Sequence, residues 1–222
     1  MILLNPGPVN VSERVRQALL RPDICHRESE FYDLLHRIQH KLLKAFVPGA
    51  SQYVAVLLTG SGTAAVESAI MSCLPTGKRM LVINNGVYGE RISNMIGLHR
   101  LGVSEFKLDW HVKPDPERLR LALRQHPEVH AVAMVHHETT TGLINPVKDI
   151  ADVVDSQNRV FVVDSVSGLG GEKIDIPGST SIWWPGQQKK CIRGFPACRS
   201  CSFGRASSTV CGAIPSVPGT CT

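Results

Sequence analysis

Residues 161–171 read Phe-Val-Val-Asp-Ser-Val-Ser-Gly-Leu-Gly-Gly, a hydrophobic run that ends in one acid and is followed at once by small residues. β-Branched and aromatic residues in such a run predict a strand that ends near Asp164. Open α/β sheets bind their ligands at the carboxyl ends of the strands. A carboxylate buried there needs a cationic partner, so Asp164 is a candidate site residue.

A lysine with matching chemistry follows in the sequence Lys-Lys-Cys-Ile-Arg-Gly-Phe-Pro, residues 189–196. Pyridoxal phosphate (PLP) requires an acid beside its ring nitrogen and a lysine that attaches to its aldehyde carbon. Asp164 and Lys190 can supply these two groups, which predicts a PLP enzyme. Two plainer interpretations stay open, namely Asp164 as the N-cap of a turn and Lys190 as a solvated surface lysine.

Hydrophobic strands and helices alternate along most of the chain. Strands rich in Val, Ile and Leu that alternate with helices indicate a largely parallel sheet that is covered on both faces. We therefore predict an α/β fold, a three-layer α/β/α domain whose chemistry lies in the loops after the strands. The predicted strands are 53–58, 80–84, 103–108, 129–135 and 160–163, and the predicted helices are 12–20, 29–46, 64–71, 88–98, 116–125 and 147–156.

Composition excludes several classes of protein. Of the 222 residues 43% are hydrophobic, which is ample for a sizeable core. The net charge of +5 arises after residue 178, where the chain has no acid, whereas residues 1–178 are neutral by count. A basic face for nucleic acid or anionic lipid is therefore not expected. Because no long apolar run and no signal-peptide pattern are present, we expect a cytosolic protein without membrane contact.

The regular pattern stops near residue 179. Residues 179–189 diverge from it, and residues 197–222 are rich in Ser, Cys, Gly and Pro and contain no acid. We predict that residues 1–196 form an incomplete domain and that residues 197–222 form an irregular tail, translated out of frame. The pair Cys198 and Cys201 suggests zinc, but four ordered ligands are missing, so we expect no metal site.

A glycine-rich turn, Thr-Gly-Ser-Gly-Thr at residues 59–63, precedes a predicted helix. Backbone N–H groups in such a turn can bind a phosphate at the positive end of the helix, although a simple tight connection is an equal alternative. Tyr88 is either a platform for a cofactor or core packing, and Thr139 is either a site residue or a strand residue. His136 and His137 suggest a general base, but a structural role is the commoner one.

These segments together resemble the class V aminotransferases of PLP fold type I. The resemblance covers residues 1–178 and a short island, residues 190–196. Its most specific parts are Glu-Thr-Thr-Thr-Gly at residues 138–142 and Lys-Cys-Ile-x-Gly at residues 190–194. Both favour the phosphonate branch of the family over the alanine:glyoxylate branch. The other matching segments are residues 3–9, 59–67, 85–91, 143–146 and 163–167.

The resemblance implies a role for each matching site residue. Tyr88 stacks on the pyridine ring, and Thr139 forms a hydrogen bond near its 3′-oxygen. Asp164 pairs with the ring nitrogen. Lys190 attaches to the cofactor covalently and then serves as the base that moves the substrate proton. The cofactor phosphate is held by three residues of the glycine-rich turn, Ser61, Gly62 and Thr63.

The implied reaction transfers the amino group of 2-aminoethylphosphonate to pyruvate, giving phosphonoacetaldehyde and L-alanine, in a homodimer. An alanine:glyoxylate or serine:pyruvate aminotransferase is the alternative within the family. In this family a small C-terminal domain follows and carries the arginine for the substrate carboxylate, and neither is recognisable in this sequence. A catalytically dead fragment, or a binding protein with a PLP-shaped pocket, is therefore the alternative from another class.

Overall fold

A computed structural model describes residues 2–47, 53–173, 182–187, 190–192 and 200–205. Within them the helices are α1 (Glu13–Gln17, extended by a 3₁₀ turn over Ala18–Leu20), α2 (Ser29–Phe46), α3 (Gly62–Cys73), α4 (Val87–Leu98), α5 (Pro116–Gln125) and α6 (Val147–Ser156). The strands are β1 (Tyr53–Leu58), β2 (Arg79–Asn84), β3 (Gly102–Lys107), β4 (Val129–Val135), β5 (His137–Glu138), β6 (Leu143–Ile144), β7 (Val160–Asp164), β8 (Ile182–Gln187) and β9 (Ser200–Arg205).

The main sheet has seven strands in the order β1-β9-β8-β7-β4-β2-β3. Neighbouring strands from β8 to β3 are parallel, whereas β9 runs antiparallel to both of its neighbours, β1 and β8. Strands β5 and β6 form a separate antiparallel pair after β4. The predicted, largely parallel sheet is therefore confirmed, with one reversed strand that was not anticipated.

Apolar side chains alternate between the two faces of the sheet. Leu81 and Ile83 of β2 pack in one core with buried residues of α5 and α6. Met80 and Val82 of the same strand pack in a second core with α3 and α4. Because a strand points successive side chains to opposite faces, one strand serves both cores. The predicted three-layer α/β/α arrangement is confirmed.

Local signals explain several boundaries. Asp115 caps α5, since its Oδ1 accepts hydrogen bonds from the backbone N–H groups of Glu117 at 2.8 Å and Arg118 at 3.4 Å. Pro116 stands at the first helical position, where its missing N–H costs nothing. The predicted bounds of the helices 29–46, 116–125 and 147–156 agree with the structure.

Strands β8 and β9 correct the expectation for the C-terminal part of the chain. We expected no strand in the divergent residues 179–189 and an irregular tail over 197–222, but Ile182–Gln187 and Ser200–Arg205 are both strands. Pro185 and Gly186 argue against a central strand. The backbone pairs nonetheless, and the Pro185 carbonyl accepts a hydrogen bond from the Ser165 N–H at 3.1 Å.

Backbone pairing satisfies peptide groups without any periodic pattern of side chains, which is why the sequence pattern missed these strands. Strand β8 also gives β7 a parallel neighbour, so β7 is an inner strand of the sheet. Residues 197–199 and 206–222, which make up the rest of the predicted tail, lie outside the described residues. Among the helices that the structure describes, none is long and apolar enough to cross a membrane.

Candidate functional site

An open cleft of about 580 Å³ lies at the carboxyl end of β7. Its walls come from the start of α3, from one side of α4, from the end of β7 and from Lys190. The lining residues are Ser61, Gly62, Thr63, Val66, Tyr88, Arg91, Ile92, Met95, Asp164, Val166 and Lys190.

The glycine-rich turn ends at the N-terminus of α3. Ser61 is the N-cap of this helix, and its Oγ accepts a hydrogen bond from the Ala64 N–H at 3.2 Å. Thr63 Oγ1 accepts a hydrogen bond from the Arg91 guanidinium at 2.9 Å. A helix N-terminus carries partial positive charge, and Arg91 adds a full one. This end of the cleft is therefore suited to an anion.

Asp164 lies at the end of β7, and 8% of its surface is exposed. Its Oδ1 accepts a hydrogen bond from the Val166 N–H at 2.9 Å. Burial raises the pKa of Asp164 to about 6, and the charge of Glu138 adds to this effect, whereas the Val166 hydrogen bond, Lys190 and Arg91 oppose it. A carboxylate in this state gains from any further cation placed beside it.

Lys190 is 8% exposed and reaches the same cleft as Asp164. Its ammonium donates hydrogen bonds to Ser167 Oγ at 2.9 Å and to Thr139 Oγ1 at 3.5 Å, and it lies 5.8 Å from the centroid of the Tyr88 ring. Strand β8 precedes Lys190, and the side chain lies beside the other candidates.

The aliphatic part of Lys190 packs on the N-terminal segment. A Cβ atom added to Gly7 would lie 2.9 Å from Lys190 Cγ, so a larger residue at position 7 would displace the lysine side chain. The close contact between the Gly7 backbone and the Lys190 side chain helps to hold the lysine in the cleft.

The two histidines differ in burial. His136 is 2% exposed, and burial lowers its pKa to about 4, so its imidazole is neutral at pH 7. Its Nδ1 lies 3.0 Å from Ser165 Oγ, and Gly168 leaves the space that the ring occupies. Neither His136 nor His137 lines the cleft. His136 thus supports the loop after β7, which agrees with the structural interpretation.

All seven candidate residues from the sequence come together in the structure. Six of them line the cleft, and the seventh, Thr139, accepts a hydrogen bond from Lys190. Sequence reasoning missed Arg91, Ser167 and Glu138. Arg91 follows Tyr88 by three positions, and that helical spacing could have revealed a shared face. Within the described residues no group of three or more His, Cys, Asp or Glu side chains could hold a metal ion.

Known proteins resemble this chain over most of its length. The aminotransferase class-V family matches residues 14–184. The 2-aminoethylphosphonate–pyruvate transaminase of Syntrophobacter fumaroxidans is 40% identical over 197 residues, which are 88% of this chain and 52% of that protein. The chain therefore spans about half the length of this relative.

Two solved structures show the same fold. The pyridoxamine–pyruvate aminotransferase of Mesorhizobium loti superposes with a TM-score of 0.84 at 26% identity, over 97% of this chain and 54% of that one. The alanine–glyoxylate aminotransferase of Nostoc sp. superposes with a TM-score of 0.83 at 28% identity, over 95% and 54%. The fold is thus that of the fold-type-I aminotransferases. With the family match over most of its length, the chain belongs to the class V aminotransferases.

Proposed function

We propose that the protein is a PLP-dependent transaminase that transfers the amino group of 2-aminoethylphosphonate to pyruvate, giving phosphonoacetaldehyde and L-alanine. The observation that carries the proposal is the meeting of Asp164 and Lys190 in one cleft with the N-terminus of α3. An acid, a lysine and an anion-binding helix end are the three groups that PLP requires of a protein.

The side chains of the cleft fit the chemical groups of the cofactor. The phosphate suits the turn Ser61–Thr63 at the start of α3, next to Arg91. The flat ring suits the Tyr88 side chain. Asp164 suits a protonated ring nitrogen, because a cation there offsets the cost of burying the carboxylate. Lys190 suits the aldehyde, and Thr139 suits the neighbouring 3′-oxygen.

When bound, PLP supplies an electron sink that stabilises negative charge on the substrate carbon. Asp164 would keep the proton on the ring nitrogen. Lys190 Nζ, as a neutral amine, would be the base that accepts the substrate proton and later returns it. Ser167 Oγ, at 2.9 Å, orients Nζ for these transfers. Ile92 and Met95 give the cleft an apolar wall.

The choice of substrate rests on the relatives. The Syntrophobacter fumaroxidans relative acts, by its name, on 2-aminoethylphosphonate and pyruvate. The second candidate is an alanine:glyoxylate or serine:pyruvate aminotransferase, which the Nostoc neighbour favours. A third candidate, kept from the sequence analysis, is a chain that binds PLP without turnover.

Absorption spectroscopy tests the proposal directly. The purified chain is mixed with PLP, and a band near the edge of the visible range is followed as 2-aminoethylphosphonate is added, with Lys190→Ala as the control. We expect a band that shifts with this amine and alanine formation from pyruvate. Turnover of alanine or serine with glyoxylate alone would support the second candidate, and a band without turnover the third. No band at all would contradict PLP binding.

A further inference from the structure

Glu138 is a buried acid that the proposed function leaves without a role. Its side chain is 0% exposed, and it stands in β5, directly after the strand that ends at Val135. A carboxylate taken fully out of water persists only where hydrogen-bond donors or cations compensate it. The partners of Glu138 therefore show what the residue does.

Those partners are at the beginning of α4. The Tyr88 N–H donates to both carboxylate oxygens of Glu138, at 3.3 Å to Oε1 and 3.2 Å to Oε2. The Thr140 hydroxyl donates to Oε1 at 3.1 Å. The N-cap of α4 is Gly86, which has no side chain to accept a hydrogen bond from the first turn. Glu138 fulfils this function from a distant part of the sequence.

Gly86 makes the contact possible. A Cβ atom at this position would lie 2.5 Å from Cγ, 2.6 Å from Cδ and 2.8 Å from Oε2 of Glu138. Any side chain at position 86 would thus push the carboxylate away from the Tyr88 N–H. The helix N-terminus also favours the negative charge that Glu138 brings.

We propose that Glu138 is a positioning residue for the ligand of the cleft, acting through the first turn of α4. Tyr88, Arg91, Ile92 and Met95 all lie on this helix and line the cleft. A carboxylate that holds the Tyr88 backbone fixes where the Tyr88 ring lies above Lys190. The identity of the ligand as PLP rests on the proposed function, whereas the contact itself does not.

The test compares four variants of the full chain by two measurements. The variants are Glu138→Ala, Glu138→Gln, Gly86→Ala and, as a matched control, Gly97→Ala. Gly97 stands in the same helix, where a Cβ meets no atom within 4 Å. The first measurement is hydrogen exchange of the Tyr88 amide in the chain without PLP. The second is the dissociation constant for PLP, read from absorbance or fluorescence.

Loss of a charge-assisted hydrogen bond is expected to speed Tyr88 exchange and to raise the dissociation constant by about tenfold or more in Glu138→Ala and Gly86→Ala. Glu138→Gln keeps one acceptor oxygen and stays within about threefold of the wild type. Gly97→Ala changes neither measurement. If Glu138→Ala does not fold, the same two measurements on Gly86→Ala and Glu138→Gln test the inference.

Two results would overturn the inference. One is unchanged exchange of the Tyr88 amide in Gly86→Ala. The other is faster exchange with an unchanged dissociation constant, which would reduce Glu138 to a purely structural role. A wild-type chain that binds no PLP overturns the proposed function instead, and the exchange measurement alone then decides whether Glu138 holds α4.

Discussion

At the scale of single residues, two buried groups give opposite pH dependences to stability. The pKa of folded Asp164 is raised from 3.8 to about 6, so the folded chain binds more protons in this window and loses stability as pH rises through it. The pKa of folded His136 is lowered from 6.5 to about 4, so the chain loses stability as pH falls through that window. The two effects partly cancel in the wild type.

The substitution Asp164→Asn separates the contributions of Asp164 and His136 to the pH dependence of stability. Asn keeps an oxygen for the Val166 N–H and has no charge to bury. In the absence of PLP we expect the free energy of unfolding at pH 7 to rise by about 2 kcal/mol and its pH dependence between 4 and 6 to follow His136 alone. Urea unfolding at several pH values measures this.

The control for Asp164→Asn is Asp109→Asn, which removes an exposed carboxylate that does not line the cleft. We expect only a small change there. Asp164→Asn should at the same time weaken PLP binding, because the partner of the ring nitrogen is gone. If Asp164→Asn is less stable than the wild type at pH 7, burial of the Asp164 charge does not lower stability. That result would contradict the assignment of Asp164 as a carboxylate whose charge awaits a ligand.

Arg91 allows a second test at this scale. Its guanidinium donates to Thr63 Oγ1 at 2.9 Å beside the N-terminus of α3. We expect Arg91→Ala to raise the dissociation constant for PLP by about tenfold, since a charged hydrogen bond to phosphate is lost. Arg124→Ala removes an exposed charge of the same kind at the end of α5 and should have no effect. Equal affinities of the two variants would exclude Arg91 from the phosphate site.

At the scale of elements, β9 is the piece that completes the sheet. Its six residues pair with β1 on one side and with β8 on the other. We expect a chain that ends at Arg199 to lose both ladders and to unfold at lower urea concentration than a chain that ends at Arg205. Circular dichroism during urea titration checks this. Equal midpoints for the two chains would mean that β9 adds nothing to the sheet.

Elements with a strong hydrophobic period were predictable, and elements without one were not. The helix over 116–125 has its cap, its proline and its apolar face in sequence, and the structure shows the same bounds. Strand β9 has none of these signals, and the pairing of β1 and β8 with it comes from the tertiary fold. In the site, strand ends identified Asp164, whereas Glu138 and Ser167 depend on contacts that only the folded chain forms.

At the scale of the whole molecule, apolar side chains near the N-terminus remain in water. Helix α2 has no buried residue, and Leu4 and Leu20 are 94% and 77% exposed. Exposed apolar surface of this kind promotes association. We expect sedimentation velocity to show mixed species larger than a dimer, with more monomer or dimer after Leu4→Ser and Leu20→Ser. The control is Leu98→Ser, at an exposed position elsewhere. A single compact dimer in the wild type would contradict this expectation.

The central claim is that one cleft of this chain binds PLP through Lys190 beside Asp164. Borohydride reduction of the chain with PLP, followed by peptide mass mapping, tests it most directly, because the reduction fixes the cofactor to the lysine that holds it. The predicted result is a pyridoxyl group on Lys190 in the wild type and its absence from that peptide in Lys190→Ala. Labels only on exposed lysines such as Lys41 or Lys78 would contradict the claim.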